Sequence, residues 1–146
     1  MKNLFLICLM SFTGSSFANA VVFSLGSADA TNGCVNAQND LFARLSTFSK
    51  NENISEKTFS VSVTKVVHRK AKSSCVAELI SHSPNYAFAK YESEEHYGES
   101  QNGECVADKV NALKNANVIG TRMSFNQGWI FNPFCQTFEL SVEKKP

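Results

Sequence analysis

CVNAQNDLFARLSTF, residues 34–48, opens on a cysteine and then sets Val35, Gln38, Leu41, Leu45 and Phe48 on one helical face, with Phe42 beside it. A second stretch, CVADKVNALKNA at residues 105–116, does the same with Val106, Val110 and Leu113. Apolar residues recurring at three- and four-residue steps predict two amphipathic helices, each with a cysteine at its N-terminal end. Strand patterns follow both. Phe59, Val61 and Val63 alternate with Ser60, Ser62 and Thr64. In VIGTRMSF (residues 118–125), Ile119, Met123 and Phe125 fall on one side and Arg122 and Ser124 on the other. Alternation with period two predicts strands with one wet face.

After each such strand comes a turn and then a cysteine heading another strand, at Cys75 and at Cys135. A strand also precedes each helix, VVFSL at residues 21–25 and YAFAKY at residues 86–91. The order β-α-β-β therefore occurs twice, over residues 21–83 and 84–146, a pattern that suggests a tandem repeat. Four cysteines allow three pairings. Equivalent halves select Cys34–Cys75 and Cys105–Cys135, each joining a helix start to the second strand of its own hairpin. A bridge over such a loop constrains the unfolded chain by roughly 3–4 kcal/mol. The expected fold is α+β: a two-layer sandwich with one mostly antiparallel sheet of about six strands, both helices on one face, and two disulfides. The polar, acidic residues 92–104 read as the mobile loop between the halves.

The first 20 residues read as a cleaved signal peptide. Lys2 gives a positive start, LFLICLM (residues 4–10) an apolar run, and Ala18-Asn19-Ala20 an A-x-A cleavage pattern. The run is shorter than the roughly 20 residues of a membrane helix, so no integral membrane segment is expected. Cys8 falls within the leader, and Phe5-Leu6-Ile7 before it is too bulky for a lipobox. The expectation is a single domain over residues 21–146, exported to a periplasm or the extracellular space, where disulfides persist.

Removing Lys2 from the 14 Lys and Arg leaves them equal to the 13 Asp and Glu. A neutral chain argues against nucleic acid or an anionic membrane surface as the main partner. Charge is still uneven, with Lys65, Arg69, Lys70 and Lys72 in one run and Glu92, Glu94, Glu95, Glu99 and Glu104 in another.

Catalytic signatures are thin. His68, His82 and His96 lack the close spacing of zinc ligands. The four later cysteines have a structural use and form no C-x-x-C motif. Neither a G-x-S-x-G nor a phosphate-binding glycine loop is present. No cofactor or metal is expected, and an enzyme, a small hydrolase for instance, is the weakest of three readings. GWIFNPF (residues 128–134) places the only tryptophan and two phenylalanines between turn residues. Trp129 and Phe131 are thus candidate contact residues at one tip of the sheet, with Arg122, Tyr91 and Tyr97 as polar companions. The expected function is binding: of an envelope or extracellular protein, as inhibitor or partner, or of a small ligand held against the sheet. The alternative is an accessory envelope domain that self-associates; the oligomeric state is not legible.

Overall fold

The computed structural model describes residues 18–27, 33–68, 72–98, 100–126 and 133–146. Its elements run β1 (Ala20–Ser27), α1 (Gly33–Asn51), a 3-10 turn (Glu56–Thr58), β2 (Phe59–Val67), β3 (Ser73–Ser81), β4 (Tyr86–Glu92), β5 (His96–Tyr97), α2 (Gln101–Ala112), β6 (Val118–Asn126) and β7 (Phe134–Lys144). The fold is α+β, as the two periodicities require.

The strands form two antiparallel sheets rather than one. In the first the order is β1-β3-β2. In the second, β7 pairs with β4 and β5 along one edge and with β6 along the other. Ala18 and Asn19, on the leader side of the expected cleavage point, touch both sheets. Ala18 exchanges two backbone hydrogen bonds of 3.0 Å with Phe88 of β4, and the Ser81 amide of β3 donates to the Asn19 carbonyl at 2.7 Å.

The core lies between the two sheets and α1. Leu41, Leu45 and Phe48 of α1 meet Phe23, Leu79 and Phe59 from one sheet and Phe88, Leu140 and Val142 from the other. The helices do not share a face. Leu140 and Val142 point to α1, whereas Cys135 and Thr137, on the opposite face of β7, point to α2. Cys135 is bonded to Cys105 of α2, and the Thr137 hydroxyl donates to the Cys105 carbonyl at 3.1 Å. That covalent tie also decides which side of α2 is buried. Cys105 and Ala112 are covered, while Val106 and Val110, expected inside, are 47% and 51% exposed.

The cysteines pair Cys34 with Cys75 and Cys105 with Cys135, across Cα separations of 5.3 and 6.3 Å. Such bonds fit an oxidising compartment. Helix α1 ends where Asn53 enters the left-handed region at φ 54°. The Asn53 amide then donates to Lys50 O and the Ile54 amide to Ser49 O, satisfying the last carbonyls of the helix. Beyond it, the Tyr86 hydroxyl donates to Glu52 at 2.8 Å and Lys144 Nζ lies 3.1 Å from the same carboxylate. The Tyr86 bond, more than Lys144, holds the Glu52 carboxyl below its usual value.

Two smaller expectations also change. Residues 92–104 carry β5 and the start of α2, because Ser93 bridges to β7: its amide donates to Thr137 O and its hydroxyl accepts from the Thr137 amide. An irregularity between Val118 and Gly120 breaks the alternation of β6, so Ile119 is buried while Phe125 is 56% exposed.

Candidate functional site

Strand β2 is the edge of its sheet, and α1 crosses the core face beside it. Between them lies a cleft of about 380 Å³, lined from α1 by Phe42, Ala43, Leu45, Ser46 and Ser49, and from the other side by Glu56, Phe59 and Val61. That volume lies within the range of small-ligand and side-chain pockets. The walls are mostly apolar. Leu45 and Phe59 form the interior, and Phe42, 42% exposed, stands at the mouth. Glu56 is the single charged residue in the lining and accepts a hydrogen bond from the Ser46 hydroxyl.

Ser49 adds a polar group to this cleft. It is 1% exposed, and its hydroxyl has no hydrogen-bond partner. A buried hydroxyl left unpaired costs about 1–3 kcal/mol, which a bound group able to donate or accept would offset. The sequence carried a signal for it. Leu41, Leu45 and Ser49 follow at four-residue steps, so a hydroxyl sits where the buried stripe of α1 would continue.

The residues singled out from the sequence are dispersed. Trp129 and Phe131 lie outside the described residues. Arg122, expected on a wet face, is half-buried, with its guanidinium 4.5 Å from the centre of the Phe138 ring. Tyr97 is exposed and packs on Phe134 at 5.5 Å, its hydroxyl bonded to Glu95. The register puts Arg122 and Tyr97 on one face of the second sheet, because their partners Phe138 and Phe134 are four residues apart on β7. Tyr91 is opposite Glu139, on the other face, and donates to Glu143 at 2.5 Å. They do not form one surface.

A second cluster surrounds His96. Its Nε2 is 2.7 Å from Asp108 Oδ2 and its Nδ1 3.5 Å from Glu104 Oε2. Both ring nitrogens are thus engaged with α2, and the imidazole ties β5 to that helix. The Asp108 hydrogen bond chiefly, with the charges of Asp108, Glu104 and Glu94, raises the His96 pKa above 6.5. Nearby Glu139 is also raised, first by burial and then by Asp108. Among the described residues no group of three or more His, Cys, Asp or Glu is arranged to hold a metal ion.

The sign of the His96 linkage follows from its direction. A pKa higher in the folded chain means that the stabilisation is fully present below the unfolded value and is lost as pH rises through the folded one. The stability advantage of the wild type over His96→Gln is therefore expected to be larger at pH 5.5 than at pH 8. Urea midpoints of both proteins across that range measure it, and a difference that does not change with pH would contradict the linkage.

His82 Nε2 lies 2.7 Å from Ser60 Oγ, and His68 Nε2 2.7 Å from Ser74 Oγ. These pairs sit on the outer face of the first sheet. Among the described residues neither ring has a carboxylate partner to orient it, the third element that activates a serine. Among the described residues, too, no helix is long and apolar enough to cross a membrane. No family model, curated protein or solved structure matches this chain.

Proposed function

We propose that this chain is a small exported binding module, tied by two disulfides, that receives an apolar group of its partner in the cleft between α1 and β2. The observation that carries this reading is the unpartnered, buried hydroxyl of Ser49 in an otherwise apolar lining. Fully committed cores satisfy their polar groups. An unpaired hydroxyl beside an open cleft offers a bound group a hydrogen-bond partner.

The compartment supports the same reading. The leader ending at Ala20 directs export, and the mature chain begins at Val21, whose pairing with Leu79 continues the register of β1 with β3. The two disulfides suit that environment. A tandem origin is part of the proposal. The strand orders β1-β3-β2 and β4-β7-β6 correspond, and each half joins the start of its helix to its central strand through a cysteine pair.

Ala43→Trp tests the site. Ala43 is an exposed position of α1 at the cleft, where an indole fills the space without entering the core. Oxidised protein starting at Val21, immobilised beside the variant and exposed to native periplasmic and culture extract, is expected to hold a stoichiometric partner that the variant loses by at least about tenfold, the effect of a plugged central anchor. Equal retention by both proteins would remove the cleft from the interface.

A further inference from the structure

The hydrogen-bond phase of β2 identifies what kind of partner the cleft suits. The His82 amide donates to Thr58 O at 2.9 Å and the His68 amide to Lys72 O at 2.7 Å. The register between those points is unbroken, Phe59 opposite Ser81 through Val67 opposite Ser73. In an antiparallel pair the residues that bond to the neighbouring strand alternate with those that face away. Residues 60, 62, 64 and 66 therefore direct their amides and carbonyls to β3, and Val61, Val63, Lys65 and Val67 turn theirs to the outer edge, which no described strand covers.

Val61 is also a wall of the cleft, and Val63 follows it on the same core-side face. Edge-facing backbone groups and the apolar pocket thus meet at Val61. A ligand that occupied the pocket alone would leave this edge unused; an extended peptide uses both. Charge selects its composition. Lys65 lies at the far end of the edge, and the basic run of residues 65–72 follows it. Against a second copy of β2, antiparallel pairing about Val61 sets Lys57 of one copy against Lys65 of the other, like charges facing each other.

Resting on the reading of the α1–β2 cleft as a binding seat, we propose that the partner is an extended segment that adds antiparallel to β2. It would set one large apolar side chain in the cleft opposite Val61 and an acidic residue opposite Lys65. Main-chain bonds along the edge then give affinity, and the pocket and the lysine give selectivity.

The probe is the peptide acetyl-Asp-Glu-Ser-Val-Ser-Phe-Ser-amide, whose Phe, Val and Glu fall opposite Val61, Val63 and Lys65. With 15N-labelled oxidised protein, added peptide is expected to slow hydrogen exchange about tenfold or more at Val61, Val63 and Lys65, and to leave Ser62 and Thr64, already bonded to β3, unchanged. Val63→Pro removes an edge-facing amide and spares the hydrogen bonds to β3. It also trims a side chain packed on the core, so Val63→Ala is its control, and peptide affinity is expected to fall about tenfold further in the proline variant. No binding, binding without that alternating protection, equal binding by Val63→Pro, or the same protection appearing with protein concentration alone would each overturn the proposal. The last would name a second copy as the occupant. The apolar fluorophore 1-aminoanthracene separates the two layers of the argument. If it enters the wild type but not Ala43→Trp while the peptide fails, the cleft stands and the strand addition falls; if neither binds, both fall.

Discussion

Replacing both Cys105 and Cys135 with alanine is expected to lower stability by about 4 kcal/mol and to detach α2 before the rest unfolds. The bridge closes a separation of 30 residues, and chain entropy alone assigns about that magnitude to a loop of this size. Its local effect is larger than its global one. Only Cys105 and Ala112 of α2 are buried, so little apolar area holds the helix once the bond is gone. A free helix of 12 residues is marginal in water. What remains is the His96 tie and the Thr137 hydroxyl. Removing Cys34 and Cys75 returns a similar entropy to the unfolded chain, over a separation of 41 residues, but leaves α1 docked through Leu41, Leu45 and Phe48. Both variants are expected to melt on the order of 10–20 °C lower. Only the Cys105/Cys135 variant should lose amide protection across α2 in native conditions, as hydrogen exchange measures. Equal protection of α2 in both variants would show that packing, not the bridge, holds it.

Phe88→Ala is the second large effect, expected at about 3–5 kcal/mol. The side chain is 0% exposed and belongs to the cluster shared by the two sheets and α1. Its ring lies 5.7 Å from that of Phe59, and it is opposite Val142 in the register. Truncation removes an aromatic from the junction of the two sheets, where neither can collapse to fill the space without shifting the other. The control is Phe125→Ala on β6, 56% exposed, with an expected change within about 0.5 kcal/mol. Chemical denaturation of the three proteins decides it. A Phe88→Ala cost near that of Phe125→Ala would mean that the sheets do not share a core.

Elements whose periodicity was their own were legible. Leu41, Leu45 and Phe48 announced α1, the Val/Ser alternation announced β2, and the equivalence of halves pointed to Cys34–Cys75 and Cys105–Cys135. What failed depended on contacts that pattern does not encode. The Val106/Val110 stripe suggested a buried face for α2, but the disulfide turned Cys105 inward instead. An irregularity at Val118–Gly120 defeated the alternation of β6. The two-residue β5 is too short to carry a period, and side-chain bonds from Ser93 and His96 stabilise it. One sheet became two because the strands of each half pair among themselves, a choice of partners with no sequence signature. The cleft was hidden for a related reason. Phe59, Val61 and Leu45 read as ordinary core, and only Ser49, continuing their stripe, departed from it.

The most direct test of the central claim is a methyl NMR map of the complex with the partner that the wild type retains and Ala43→Trp loses. The account predicts the largest shifts at the methyls of Leu45, Val61 and Val63, around the α1–β2 cleft. Shifts concentrated instead beside Arg122, Tyr97 and Phe134 would place the interface at the end of the second sheet and contradict it.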